Sequence, residues 1–273
     1  METIVITGAS GFIGSSISKA LQHNKNFNLV LASQTKSDKP YTHFADFSEV
    51  PPGDILVHLS ENSDRNQVNY LGDTCINQSS KNLDLLIKKK YKKIIYFSSS
   101  TVYGDSGDLP FDEKSTTVNT DSYTQLKLSN EKKVIDYNGV VLRVTNVIGP
   151  NMSNNNVYSD IISQLGKGKS ITIRNDKPIR DFIWHEDVAN AVIKVISSDC
   201  SGIYNIGSGT GTSIRHLVKT ILKLSKSNEL IVSLDKTNLN SYNVVNVDKL
   251  RREVNWTPGH SIENIINLME LNK

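Results

Sequence analysis

Tyr123 and Lys127 stand four residues apart in Tyr123-Thr124-Gln125-Leu126-Lys127. On a helix this spacing puts a phenol and an ammonium on one face, able to converge on one ligand. A free phenol titrates at about 10 and exchanges protons poorly at neutral pH, and an adjacent ammonium lowers that value. Of the ten tyrosines, only Tyr123 has a lysine at this offset. Upstream, Ile94-Ile95-Tyr96-Phe97 runs into Ser98-Ser99-Ser100-Thr101-Val102-Tyr103-Gly104. Hydroxyls at the C-terminal end of a parallel strand lie where such sheets bind ligands. One of them could hydrogen-bond the oxygen that Tyr123 protonates or deprotonates. Ser-rich segments after strands are also ordinary turn chemistry, so both readings stand at this level.

A third group opens the chain: Thr7-Gly8-Ala9-Ser10-Gly11-Phe12-Ile13-Gly14. It follows a strand-like run and precedes a helical pattern, the setting in which spaced glycines cradle a dinucleotide. Gly8 suits the tight turn, Gly11 a close backbone approach to pyrophosphate, and Gly14 close helix–strand packing, with Phe12 and Ile13 beside the phosphates. The helix N-terminus adds free N–H groups. After the second strand comes Leu31-Ala32-Ser33-Gln34-Thr35-Lys36, with no carboxylate before Asp38. NAD binding favours an acid at this point. Ser33 and Lys36 could instead meet a 2′-phosphate, so the expectation is NADP, with NAD as the alternative. A plain polar loop has the same residues. Asp46 is a candidate partner for the adenine amino group, flanked by Phe47, with Leu59 as a further cofactor contact. An Asp that merely opens a helix would look the same.

These groups need a scaffold of alternating strands and helices. Strands are expected at Ile4–Thr7, Asn28–Ala32, Ile55–Leu59, Lys93–Ser98 and Val140–Val144. Helices are expected at about Gly14–Asn24, Gln67–Lys89 and Ser122–Tyr137, the first with Ile13, Ile17, Ala20 and Leu21 on one face. Such alternation needs crossover connections, hence a parallel sheet covered on both faces. After Pro150 an Asn-rich loop, 152–156, leads to helices near 157–165, 186–196, 214–224 and 262–271 and strand-like pieces at 171–173 and 202–206.

The net charge of +3 is too weak to imply nucleic-acid or membrane binding. The run Lys88-Lys89-Lys90-Tyr91-Lys92-Lys93 reads as a solvated helix end. Cys75 and Cys200 form no CxxC pair and no Cys/His cluster, so no metal site is expected. The N-terminus reads as a strand rather than a signal peptide, and no apolar stretch is long enough to span a bilayer, so a cytoplasmic location is expected.

In this order the glycine turn, Ser-Ser-Ser-Thr-Val-Tyr-Gly, the Tyr–Lys pair, Leu142-Arg143-Val144-Thr145-Asn146-Val147-Ile148-Gly149-Pro150 and Arg180-Asp181-Phe182-Ile183-Trp184-His185-Glu186-Asp187-Val188 resemble the NAD-dependent epimerase/dehydratase family, the extended short-chain dehydrogenases/reductases. Tyr204-Asn205-Ile206-Gly207-Ser208-Gly209 and Asn255-Trp256-Thr257-Pro258 extend the resemblance over nearly the whole chain. It implies an α/β fold: a Rossmann-type doubly wound parallel sheet with a small C-terminal substrate-binding lobe. The dinucleotide domain is expected at 1–150, and the lobe at 151–273, partly interwoven with the sheet.

The resemblance also implies roles. Ser99 would be the catalytic hydroxyl, Tyr123 the acid/base and Lys127 its partner, the last two also touching the cofactor. Asn69 resembles a helix Asn near the active site. Ser99, Ser100 and Thr101 would face the substrate, a sugar nucleotide, and Asn146 and Arg180 its diphosphate. A surface ion pair of Arg180 with Asp181 or Asp187 is the other reading. His185 reads as a structural residue opening a helix. Relatives commonly dimerise through the two long helices.

Two departures stand out. Family dehydratases carry Asp-Glu where this chain has Ser100-Thr101, which argues against 4,6-dehydration. Family members usually show His-Leu-Ala-Ala where this chain has His58-Leu59-Ser60-Glu61, and a Glu beside the cofactor is unusual. The expected activity is reduction of a 4-keto-(6-deoxy)hexose nucleotide with Tyr123 as acid. The alternatives are a nucleotide-sugar 4-epimerase retaining NAD and a non-catalytic dinucleotide sensor.

Overall fold

The computed structural model describes residues 1–22, 24–35, 40–235 and 241–271. The chain opens with β1 (Glu2–Thr7), α1 (Phe12–Leu21), β2 (Phe27–Ser33), β3 (Thr42–His43) and β4 (Ile55–His58). It continues through α2 (Arg65–Leu71), α3 (Asp73–Ile87), β5 (Lys93–Ser99), α4 (Ser122–Asp136), β6 (Val140–Val144) and β7 (Asn146–Ile148). Next come α5 (Val157–Gln164), β8 (Ser170–Ile173), β9 (Ile179–Trp184), α6 (His185–Ile196), β10 (Gly202–Ile206), β11 (Gly211–Ser213) and α7 (Ile214–Leu224). The last elements are β12 (Leu230–Ser233), β13 (Tyr242–Asn243), α8 (Asp248–Val254) and α9 (Ile262–Leu271).

Seven strands form one parallel sheet in the order β10-β6-β5-β4-β1-β2-β3. The chain works outward from β1 to β3, then crosses back to β4 on the other side of β1. The strand order reverses there, and the crevice beyond the C-terminal ends of β1 and β4 is the ligand position of such sheets. Strand interiors such as Ile4-Val5-Ile6 and Ile55-Leu56-Val57-His58 are buried throughout, as both covered faces require. One face packs on α1 and α6 through Ile6, Ile17, Leu21, Val188 and Val192. The other packs on α3 and α4 through Leu56, Leu83, Leu86, Tyr96 and Val134. Strand β10 comes late in the chain and closes one edge of the sheet.

A second core collects Tyr158, Ile161, Ile171, Trp184, Leu217 and Ile221 under the short sheets β11-β9-β13 and β12-β8. Trp256 Nε1 donates to the Asp187 carbonyl at 3.1 Å, tying the chain after α8 to α6.

Two expectations need correction. The helix expected at 67–89 is two helices, because Gly72 adopts φ +54° and breaks the axis. On α1, Ala20 faces outward while Ser16 and Ser18 face inward. Their hydroxyls are satisfied by the His185 ring (2.8 Å) and the Gly14 carbonyl (2.7 Å), so the expected face holds at Ile13, Ile17 and Leu21 and fails at Ala20.

Candidate active site

Tyr123 and Lys127 occupy successive turns of α4, both buried, with Lys127 Nζ 5.7 Å from the Tyr123 ring centre. The start of α4 is fixed by Asp121, which caps it by accepting the Thr124 amide at 2.9 Å. The same carboxylate accepts from Arg65 Nε at 2.6 Å and Asn69 Nδ2 at 3.0 Å. Asn69 Oδ1 in turn accepts the Tyr123 backbone N–H at 2.9 Å. Both ends of the Asn69 amide are therefore spent on α4, where they set the position of Tyr123. Burial disfavours the Asp121 charge, but the Thr124, Asn69 and Arg65 hydrogen bonds outweigh it and hold the carboxyl at about 2.

The three serines after β5 part ways. Ser98 donates to Glu131, which forms a buried pair with Arg143 at 2.6 Å. Ser100 donates to Asn243 Oδ1 at 2.7 Å, and Asn243 Nδ2 returns bonds to the Ser100 and Gly104 carbonyls. Ser99 Oγ accepts from Thr101 N and Oγ1 at 3.3 and 3.0 Å, which leaves its own proton to donate. Ser99, Ser100, Thr101, Asn146 and Arg180 together line a cleft of about 200 Å³, joined by Arg65 and Thr120 from the entrance of α4. Tyr123 and Lys127 are not in that wall. Tyr123 packs with Leu126 of α4, Val68 of α2 and Ile76 and Cys75 of α3, and α4 itself packs on both β5 and the turn Ser100–Tyr103.

Arg180 does not pair with Asp181 or Asp187. Its Nη2 donates to Ser241 Oγ at 2.6 Å and lies 3.6 Å from Asp105. Asp181 is buried and accepts the Ser208 and Gly209 amides, and Asp187 accepts from His260. Asn146 Nδ2 donates to the Asp181 carbonyl at 2.9 Å, leaving its Oδ1. His185 opens α6 and its ring fills the space beside Gly149, where an added Cβ would come within 2.3 Å.

At the crevice, β1 turns through Gly8 at φ +72°. A Cβ on Gly14 would sit 2.1 Å from the Gly8 carbonyl, and one on Gly8 would sit 2.9 Å from the Leu59–Ser60 backbone. Gly11 caps α1 without any side-chain bond, so the first-turn amides keep their donors. Phe12 and Ile13, half-buried, complete this turn. The cradle fits a dinucleotide pyrophosphate. At the end of β2, Ser33 Oγ bonds Ser10 Oγ at 2.6 Å and accepts the Thr35 amide, while Gln34 Oε1 accepts from Ser60 at 3.1 Å. Lys36 lies outside the described residues. Asp46 caps the 3-10 turn Phe47–Glu49 through the Ser48 amide. Phe47 is core, packed edge-on against Phe44 and His58. Half-buried Leu59 presents its backbone to Gly8.

Glu61 accounts for the departure after β4. Its carboxylate is 7% exposed and accepts four hydrogen bonds. Ser79 Oγ (2.5 Å) and Asn130 Nδ2 (2.7 Å) reach Oε1, and Tyr96 OH (2.8 Å) and Lys127 Nζ (2.5 Å) reach Oε2. Lys127 also donates to the Phe97 carbonyl at 3.0 Å. Burial pushes the Glu61 carboxyl up, but the Lys127 ammonium, the neighbouring His58 and the Lys127 and Ser79 hydrogen bonds together hold it below the usual carboxylate range. Burial pushes Lys127 down and Glu61 outweighs that too, raising it. Glu61 also lines a cavity of about 470 Å³ with Gln34, His58 and Ser60. Sequence reasoning missed Tyr96, Ser79 and Asn130 here and Asp105, Ser241 and Asn243 beside Arg180. Only the cap, Asp121 before Ser122-Tyr123-Thr124, carried a local signal.

The sheet order and the glycine turn are those of a Rossmann-type α/β protein. The sequence model of the NAD dependent epimerase/dehydratase family matches residues 4–207, and the chain belongs to that family of extended short-chain dehydrogenase/reductase enzymes. It is 28% identical to UDP-glucose 4-epimerase of Caenorhabditis elegans, over 81% of this chain and 83% of that one. It is 27% identical to dTDP-4-dehydro-6-deoxyglucose reductase of Escherichia coli, over 93% and 92%. In fold it is similar to the structure of RMD from Pseudomonas aeruginosa complexed with NADPH, with TM-score 0.85, 19% identity and all of both chains covered. Among the described residues no helix is long and apolar enough to cross a membrane.

Proposed function

We propose that the protein reduces the keto group of a 4-keto-6-deoxyhexose nucleotide, with NADPH as reductant and Tyr123 as the proton donor. The observation that carries this reading is the end of β2. Ser33 and Gln34 stand there, tied to Ser10 and Ser60, and no carboxylate stands among the described residues to hold the ribose 2′-hydroxyl of NAD. A releasable NADP suits a net reduction, whereas an epimerase regenerates its cofactor in each cycle. The end-to-end match to the Escherichia coli reductase supports the same class of substrate.

A bound nicotinamide dinucleotide supplies the hydride. Gly8, Gly11 and Gly14 would hold its pyrophosphate, and Lys127, with two of its three N–H groups spent, keeps one for a ribose hydroxyl. Tyr123 gives its proton to the oxygen that becomes the new hydroxyl, and the free Ser99 proton steadies the same oxygen. Arg180 exchanges Ser241 and the distant Asp105 for the substrate diphosphate, a planar fork meeting phosphate oxygens. A cavity of about 1190 Å³ lies beyond Gly149 between α5 and Arg174-Asn175 and is roomy enough for the nucleotide end of the substrate.

The test is to purify the protein, identify any retained nucleotide, and titrate NADH and NADPH. It is then supplied with a dTDP-4-keto-6-deoxyhexose and the product is identified. Exchangeable binding favouring NADPH with stoichiometric oxidation is expected. Tightly retained NAD, with inversion of a UDP-sugar at C4 and no net cofactor change, would overturn the proposal in favour of the 4-epimerase.

A further inference from the structure

The Tyr123–Lys127 pair is not a bare phenol beside a bare ammonium. Each element packed around it contributes groups that face it. From β4 comes His58, held at about 4 by burial and therefore neutral at pH 7. From β5 comes Tyr96, whose phenol burial and Glu61 keep protonated. From α3 come Ser79 and Cys75, whose thiol burial pushes up. On α4, Asp121 is spent on Arg65 and Glu131 on Arg143. What remains, among the described residues, is one cation, Lys127, and one anion, Glu61, at 2.5 Å.

We infer that Glu61 is a positioning residue that pins Lys127 and offsets its charge beside Tyr123. The inference rests on the reading above that Tyr123 and Lys127 are the reacting pair. A unit charge about 6 Å from a phenol, at an effective dielectric of about 20, is worth roughly two pH units. A Glu61 oxygen 2.5 Å from the Lys127 ammonium, itself 5.7 Å from the Tyr123 ring centre, offsets it. The network also fixes Lys127 mechanically. Asn130 Nδ2 donates to both Glu61 Oε1 and Ser79 Oγ, which closes the network.

The test is an ultraviolet difference titration of tyrosinate, without cofactor or substrate, each protein measured against the same protein carrying Tyr123→Phe. In Glu61→Gln, which keeps the shape, the Tyr123 signal is expected to form one to two pH units lower than in the parent, on the ~6 Å separation used above. An unmoved signal overturns the inference. The double variant Glu61→Gln/Lys127→Met leaves no unpaired buried charge, so it stays informative if the single variant does not fold. Its Tyr123 signal is expected within about half a unit of the parent, because two cancelling charges have been removed together. A rise of a unit or more would show that the ammonium had been acting unbalanced, and would overturn the inference. These readouts involve no turnover. Expected shifts in a protein that reduces no keto sugar would sink the proposed function and leave the charge balance standing.

Discussion

Replacing Asp121 by Asn tests whether charge holds the entrance of α4. Asn caps helices as well as Asp, so the Thr124 amide keeps an acceptor. What goes is the anion that Arg65 and Asn69 meet at 2.6 and 3.0 Å. The Asp121 side chain is 19% exposed, and its carboxyl is held at about 2 against an ordinary 3.8. A difference of about two units is worth at most ~2.5 kcal/mol, and solvent around the half-exposed Arg65 reduces this to ~1–2 kcal/mol. The folded-state value is the lowered one. The contribution is therefore fully present above the unfolded value, about 4, and is lost as pH falls toward about 2. Urea denaturation should show Asp121→Asn less stable by ~1–2 kcal/mol at neutral pH, with the gap closing between about pH 4 and pH 2. A gap of the same size at both ends of that window, or none at neutral pH, refutes the reasoning.

Three further perturbations follow from the same geometry. Gly14→Ala puts a Cβ 2.1 Å from the Gly8 carbonyl, so α1 must move off β1. We expect a loss of ~1–3 kcal/mol in denaturation and at least about tenfold weaker dinucleotide binding by titration calorimetry. Glu131→Gln leaves Arg143, about 5% exposed, without its counter-charge, and should cost ~3–5 kcal/mol while leaving the dinucleotide affinity of the folded fraction unchanged. Arg180→Ala removes charge-assisted contacts worth ~1.5–3 kcal/mol, so KM for a diphosphate-bearing substrate should rise roughly 10- to 100-fold with a smaller change in kcat. An unchanged KM would remove Arg180 from the substrate site.

Local pattern made the scaffold readable. The runs at Ile4–Ile6, Ile55–Val57, Ile94–Phe97 and Val140–Val144 are all strands of the central sheet, because strands covered on both faces are continuously apolar. The break at Gly72 was harder to see, since a lone glycine costs a helix little until the chain uses φ +54° there. Strand β9 escaped because it carries Arg180 and Asp181 inside it, each satisfied by partners that the sequence does not place. Tyr–Lys spacing placed both side chains on one buried face of α4, but the state of Lys127 depends on Glu61, 66 residues upstream, and on Asn130, 69 residues from Glu61. No local period relates such positions. The departure at Ser60-Glu61 was visible as an oddity, and only packing turns it into a counter-ion.

The two halves of the site differ in how they are held. Around Tyr123 and Lys127 the groups are buried, and those around Glu61 are bonded to one another, so on the proposed reading little reorganisation would accompany proton transfer. Arg180 is a quarter exposed, and the Asp105 opposite it is more than half exposed at 3.6 Å, a contact that water and a diphosphate can both replace at small cost. Changes of substrate should therefore be reached through β9, the loop after Gly104 and the wide cavity beyond Gly149. Changes to the proton chemistry should require the Glu61 network to be rebuilt as a unit, because removing one member strands a buried charge. A substitution in the outer half would then move KM alone. One in the inner half would move stability and the pH dependence together.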